Sequence, residues 1–139
     1  MVNKSKRKGT DWERQAVKLL NDLIKDSVFR RIPSSGAIGT IISEPILTGD
    51  ITGTVEFFPK KFKGEAKTGY GGKTQLTLKK EWLDKIVLEA NNNFSIPFLI
   101  GKFLGSRDGV QDFVVLDIET FATLINMYTD LQRSLEKNG

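Results

Sequence analysis

Residues 50–68 read DITGTVEFFPKKFKGEAKT and predict a β-hairpin. Residues 50–57 alternate as a strand does, residues 58–61 predict a turn that contains Pro59, and residues 62–68 predict the returning strand. Because side chains alternate along a strand, Glu65 and Lys67 should share one face and Ala66 should lie on the other. Antiparallel pairing would bring Asp50 opposite Glu65 and Lys67, so that two acids and a lysine converge.

These residue types suit one chemistry. Two carboxylates can hold a hard divalent cation through oxygen, and such a cation polarises a phosphodiester and activates water. A lysine beside them can position the attacking water or stabilise charge that develops on phosphorus. The alternative is a cross-strand ion pair on a solvated sheet face, which has the same residue types.

Composition narrows the classes of mechanism. The chain has 139 residues, which fits one domain with its own core. It has no cysteine, which excludes disulfides and thiolate metal sites, and no histidine, which excludes histidine bases and histidine metal ligands. Any hydrolytic chemistry must therefore use carboxylates, lysine and a metal ion.

Charge is unevenly distributed along the chain. Residues 1–80 carry 16 Lys and Arg against 8 Asp and Glu, whereas residues 81–139 carry 5 against 9. The basic excess lies in the part that holds the hairpin, which favours a polyanionic partner such as nucleic acid over a merely solubilising face. No apolar run is long enough to span a membrane and no apolar signal core follows the basic N-terminus, so we expect no membrane partner and a cytoplasmic location, in a prokaryotic cell or a virus-infected host.

The pattern of elements predicts an α/β fold. We expect a mixed central β-sheet flanked by helices, in a single domain of residues 10–139 that follows a flexible basic arm of residues 1–9. The segment from Ile41 to Thr48 has no clear assignment. The predicted elements are a helix from Thr10 to about Lys25, strands at 28–32, 50–57 and 62–68, a helix at 79–90, strands at 96–104 and 113–118, and a last helix that starts after Asp117 or Thr120.

Glu13 has two interpretations of equal weight. It borders the apolar stripe of the first helix, about 60° from the centre of that stripe, and could lean inward to join an acidic site. Thr10 and Glu13 also have the spacing of a capping box, in which Glu13 would return to the Thr10 amide.

Several further residues are candidates for contact with nucleic acid. Tyr70 and Lys73 lie in a glycine-rich segment that could drape over a backbone or stack on a base, although an ordinary linker is the favoured interpretation. Lys60, Lys61 and Lys63 at the hairpin form a candidate phosphate patch.

Four ordered motifs carry a closer resemblance. The chain resembles the archaeal-type Holliday junction resolvases of the PD-(D/E)xK nuclease superfamily, a family that also occurs in viruses. The resemblance runs from Lys8 to about Phe103, with Gly49 where the family usually has proline. The motifs are KGTDWER at residues 8–14, FRRIPSSG at 29–36, GDI at 49–51 and EAKT at 65–68.

The resemblance implies a restriction-endonuclease-like core and an acidic metal site. Glu13, Asp50 and Glu65 would form that site, with Asp50 and Glu65 the surest ligands and the Ala66 carbonyl an additional one. Lys67 would be the catalytic lysine. The cofactor would be Mg²⁺, for which Mn²⁺ substitutes, and no nucleotide cofactor is expected.

The resemblance also implies how DNA is bound and cut. Ser35, with Ser34 beside it, would lie in a mobile loop that contributes to cleavage, and Arg30 and Arg31 would bind phosphates. The arm with Lys6, Arg7 and Lys8 would enter the junction centre or remain a disordered tail.

The implied activity is resolution of four-way junctions. A homodimer would make paired nicks that leave 5′-phosphate and 3′-hydroxyl ends on branched DNA. The open alternatives are a restriction-like or repair nuclease that acts on other DNA forms, and a non-catalytic DNA-binding module.

Overall fold

The computed structural model describes residues 4–32, 51–105 and 108–138, with side chains from Asp11 onward. The described helices and strands follow one another in the order predicted from the sequence. The elements are α1 Lys4–Leu23, β1 Ser27–Arg31, β2 Ile51–Val55, β3 Lys61–Thr68, α2 Lys80–Asn92, β4 Ser95–Lys102, β5 Asp112–Val115 and α3 Ile118–Asn138.

The five described strands form one mixed sheet in the order β1-β2-β3-β4-β5. Strands β3 and β4 are parallel, and every other neighbouring pair is antiparallel. A parallel pair needs a crossover connection, and α2 supplies it between β3 and β4. The predicted α/β class, with a mixed central sheet flanked by helices, is confirmed.

The predicted hairpin of β2 and β3 is present over the described part, but β2 ends at Val55, two residues before its predicted end, and β3 begins at Lys61, one residue early. Ile51 pairs with Gly64 and Gly53 pairs with Phe62. The turn closes with a hydrogen bond of 3.0 Å from the Phe58 amide to the Val55 carbonyl. The described end of β2 therefore lies beside the residue that precedes Glu65.

The sheet separates two apolar clusters. On one face α1 packs through Trp12 and Ala16, and the Trp12 indole donates to the Ile100 carbonyl at 3.3 Å. On the other face Trp82 and Ile86 of α2 pack on Leu99. The nearly continuous apolar sequence at residues 96–104 predicts a strand covered on both faces, and β4 is indeed buried from Ser95 to Gly101.

Asn21 secures the outer edge of the sheet. Its side chain accepts from the Phe29 amide at 2.7 Å and donates to the Phe29 carbonyl at 2.9 Å. Because β1 is the first of the described strands in the sheet order, these backbone groups would otherwise have no partner among the described strands. The side chain therefore fixes α1 to β1 and satisfies that edge.

Helix α1 begins earlier than the sequence indicated. It starts at Lys4, so residues 4–9 continue the helix and do not form a separate arm. Thr10 lies inside the helix, and the capping-box interpretation of Thr10 and Glu13 is therefore wrong. The apolar stripe begins only at Trp12, which is why periodicity placed the start near Thr10.

Helix α3 projects an apolar stripe into solvent. It begins at Ile118, after Asp117, whose carboxylate accepts from the Thr120 amide at 3.3 Å. The described part of β5 ends at Val115, so this strand is shorter than predicted. Thr120 is the one buried residue among those described in α3. None of the described helices is both long and apolar enough to cross a membrane.

Candidate active site

Strand β3 presents three charged side chains to one helix. Lys63, Glu65 and Lys67 alternate with Gly64 and Ala66, so all three face α2 while their neighbours face α1. Glu65 is only 5% exposed and Lys63 only 4%. Buried charges are costly unless they are paired, so their partners define the site.

Glu65 has two lysine partners on one oxygen. Its Oε1 lies 3.3 Å from the Lys67 Nζ and 3.5 Å from the Lys85 Nζ. Its Oε2 is buried and has no hydrogen-bond partner among the described residues. A buried carboxylate oxygen without a partner costs free energy, and a divalent cation is a partner that would satisfy it.

Aromatic rings cover Lys67, the lysine of the motif. The Lys67 Nζ lies 4.6 Å from the centre of the Trp82 ring and 5.8 Å from that of Tyr70. These two rings meet edge to face at 4.7 Å. The rings attract the ammonium group and limit its contact with water. Lys67 is thus held beside Glu65 in a partly enclosed position.

Two residues of the site were missed by sequence reasoning. Lys85 and Glu89 lie one turn apart on α2, with 3.9 Å between the Lys85 Nζ and the Glu89 Oε1. Glu89 is buried, and its Oε2 also has no hydrogen-bond partner among the described residues. The available signal was their spacing from Trp82 and Ile86, since positions 82, 85, 86 and 89 share one helix face.

The structure corrects the predicted phosphate patch at Lys63. It is buried against α2, so it does not belong to an exposed patch with Lys60 and Lys61, which are exposed. Burial lowers the pKa of Lys63 below the ordinary lysine value. The charge of Glu89 opposes this shift and that of Lys85 adds to it.

Glu13 and Arg31 form a separate pair. The Arg31 Nε lies 3.0 Å from the Glu13 Oε2. Arg31 pairs with Ile51 in the sheet and lies on the same face as Phe29, the face covered by α1. Glu65 lies on the opposite face. The ion pair described for Glu13 is the one with Arg31. Its place in an acidic metal site stays a prediction.

The remaining candidates occupy varied positions. Arg30 is exposed on the opposite side of β1 from Arg31, and Tyr70 and Lys73 are exposed in the segment after β3. Ala66 turns its side chain to the core on the α1 side. Asp50, Ser34 and Ser35 lie outside the described residues, as do the side chains of Lys6, Arg7 and Lys8.

The described residues supply part of the ligand set for a divalent cation. No group of three or more acidic, histidine or cysteine side chains comes together within the described ranges. Two buried carboxylate oxygens, Glu65 Oε2 and Glu89 Oε2, nevertheless have no hydrogen-bond partner among the described residues, and the one on Glu65, in the motif, is available to a hard cation. Oxygen donors such as carboxylates are what Mg²⁺ and Mn²⁺ prefer. A second carboxylate is needed to complete such a site.

Comparison with known proteins gives a family match and a structural match. Residues 4–137 match the model of a family described as "Phage putative PDDEXK endonuclease". Among solved structures, the chain is similar to Hjc, a Holliday junction resolvase from the archaeal hyperthermophile Archaeoglobus fulgidus, with a TM-score of 0.52 and 16% identity. The similarity covers 78% of this chain and 88% of that one. No curated protein matches the chain.

These matches confirm the resemblance stated from the motifs. The family match confirms a PD-(D/E)xK nuclease of viral type. The structural match confirms the restriction-endonuclease-like fold of the mixed sheet and its helices.

Proposed function

The chain belongs to the phage PDDEXK endonuclease family, and from this premise we propose that it is a metal-dependent endonuclease that resolves four-way DNA junctions. The observation that carries the proposal is the pairing of Glu65 with Lys67 on one face of β3, with Glu65 Oε2 left for a cation. Hjc, the solved structure with a similar fold, is a Holliday junction resolvase. This likeness favours the four-way junction as substrate.

Asp50 is the proposed second carboxylate. It directly precedes Ile51, which pairs with the residue before Glu65. Ile51 faces the α1 side, so a residue one step earlier in the same strand would face the side of Glu65. The Ala66 carbonyl and Glu13 are further proposed ligands. Bound Mg²⁺, or Mn²⁺ in its place, would activate a water molecule and neutralise charge on the phosphodiester.

Lys67 is the proposed catalytic lysine. Its ammonium group lies beside Glu65 and under the Trp82 ring, so it is positioned before substrate arrives. We propose that it donates to the attacking water or to a phosphate oxygen as negative charge develops. The leaving group would be a 3′-hydroxyl, and the product ends would carry 5′-phosphates. Ser35 would assist from the neighbouring loop.

Exposed basic residues would hold the DNA backbone. Arg30, Lys60 and Lys61 are exposed around the hairpin, and Lys79 reaches over the Tyr70 and Trp82 rings at 5.6 and 5.7 Å. Arg31, Ser34, Tyr70, Lys73 and the basic start of α1 are the other proposed contacts. Because phosphate contacts release counterions, affinity for DNA should fall steeply as salt rises.

A competition assay tests which form of DNA is the substrate. A labelled four-way junction is incubated with protein and Mg²⁺ in the presence of excess linear duplex of the same sequence. We expect paired nicks in the junction, with little effect of the duplex. Equal cleavage of both DNA forms would support a restriction-like or repair nuclease instead. Tight binding without cleavage in Mg²⁺ or Mn²⁺ would support a non-catalytic DNA-binding module.

Two active sites would allow both strands of one junction to be nicked together. The exposed stripe of α3 offers a surface for a second copy. Six apolar side chains of this stripe are about half exposed or more. Together they offer roughly 600 Å² of surface per copy, which is near the lower limit for a stable dimer. The stripe consists of Ile118, Phe121, Ile125, Tyr128, Leu131 and Leu135.

Charge favours an antiparallel second copy on this stripe. Residues 117–130 carry three acids and no base, whereas residues 131–138 carry Arg133 and Lys137 against Glu136. In an antiparallel pair the acidic start of each helix would lie beside the basic end of the other. A two-fold arrangement of this kind is closed and self-complementary. We propose that the protein is a homodimer joined through α3.

Leu131→Arg is expected to convert the dimer to a monomer. The substitution places a charge within the proposed apolar contact, where it would be poorly solvated. Light scattering after gel filtration gives the mass directly. The matched control is Asn126→Arg, which adds the same charge on the opposite side of the exposed helix and should leave the dimer intact. A monomeric wild-type protein would contradict this interface.

A further inference from the structure

Helix α2 extends the site beyond the residues of the sequence motif. Lys85 reaches Glu65 of β3 and Glu89 of its own helix, so it joins two buried carboxylates. Lys63 lies near the same carboxylate, Glu89, which influences its pKa. The result is a connected group of charges between the sheet and α2. Its members on α2, Lys85 and Glu89, do not belong to the EAKT motif of residues 65–68.

The contacts on Glu65 are asymmetric. Lys67 and Lys85 both approach Oε1, at 3.3 and 3.5 Å, and the described residues give Oε2 no hydrogen-bond partner. Two cations on one oxygen fix the rotation of the carboxylate. The other oxygen then remains directed away from both lysines, where a third cation could bind it.

We propose that Lys85 is a positioning residue for the metal site. It holds Glu65 from α2, so that Oε2 stays turned to the cation whether or not Lys67 remains at Oε1. Lys67 can then leave Glu65 for water or phosphate without releasing the carboxylate. The inference rests on the proposed function, because it assumes that Glu65 is a metal ligand.

Glu89 supports Lys85 in this role. Its Oε1 lies 3.9 Å from the Lys85 Nζ, and its side chain is only 10% exposed. A buried carboxylate near Lys85 compensates part of the cost of placing this ammonium group beside two other lysines. Partners that orient a metal ligand typically change metal affinity by 10- to 100-fold when they are removed.

The test measures metal binding without DNA. Free Mn²⁺ is followed by electron paramagnetic resonance as it is added to metal-stripped protein, and thermal unfolding is recorded on the same samples. Lys85→Met is expected to weaken Mn²⁺ binding by about 10- to 100-fold, and Lys85→Arg should restore most of it. The matched control is Lys80→Met. Lys80 forms the equivalent pair with Asp84 on the same helix, but it is exposed.

Each outcome bears on a different claim. Unchanged or tighter Mn²⁺ binding by Lys85→Met would overturn the positioning role, since Lys85 would then be a structural ion pair or a competitor of the cation. Absence of Mn²⁺ binding by the wild-type protein would overturn the proposed metal site as well. Should Lys85→Met fail to fold, Glu89→Gln keeps the lysine and loosens it, and weaker Mn²⁺ binding is again expected.

Discussion

Replacing Glu65 with glutamine is expected to lower the rate of Mg²⁺-dependent cleavage by about 100-fold or more. Glutamine keeps the shape of the side chain but removes the charge that would hold the cation, and a single group that stabilises the transition state is commonly worth this much. Junction binding should persist, because phosphate contacts by Lys and Arg dominate affinity. Single-turnover cleavage and an electrophoretic binding assay measure the two effects separately.

The matched control for Glu65→Gln is Glu56→Gln. Glu56 is exposed in the turn of the same hairpin, so its substitution should leave cleavage unchanged. Circular dichroism at the assay temperature shows whether both variants remain folded. Cleavage by Glu65→Gln at nearly the wild-type rate would remove Glu65 from the proposed site.

Gly64→Ala is expected to destabilise the fold by about 3 kcal/mol. A Cβ at position 64 would lie 2.2 to 2.5 Å from three atoms of the Phe98 ring. Phe98 is buried and its ring meets those of Phe29 and Phe62 at 6.3 and 6.4 Å, so it has little room to retreat. Here glycine is required by close packing rather than by an unusual backbone conformation.

Urea denaturation followed by circular dichroism measures the loss in Gly64→Ala. Thr54→Ala is the control, because Thr54 is exposed on the neighbouring strand. Combining Gly64→Ala with Phe98→Leu should recover part of the stability, since the smaller side chain relieves the contact. A loss below about 1 kcal/mol for Gly64→Ala would show that the core accommodates the added methyl group.

The hairpin was predictable because its signals are local. Strand alternation and the turn around Pro59 gave β2 and β3 nearly their observed bounds over the described residues. The same alternation placed Glu65 and Lys67 on one face, and their ion pair agrees with it. Near-continuous apolarity identified β4 as a buried strand.

Other features depend on tertiary contacts that no local pattern records. Lys63 was assigned to the surface because of its charge, but α2 covers that face of β3. Lys85 and Glu89 interrupt an apolar helix face, and only the packed structure shows that Lys85 lies between Glu65 and Glu89. The start of α1 was missed because residues 4–9 have no apolar stripe to mark a helix. The last helix was predicted, but the exposure of its apolar side chains was not.

The central claim is that this chain cuts four-way junctions with a divalent metal ion. The most direct measurement incubates metal-stripped wild-type protein with a synthetic junction, first in a chelator and then with Mg²⁺ added. We expect no cleavage in the chelator and paired symmetric nicks with 5′-phosphate ends after Mg²⁺ is added. Cleavage that continues in the chelator, or none in any divalent metal, would contradict this claim.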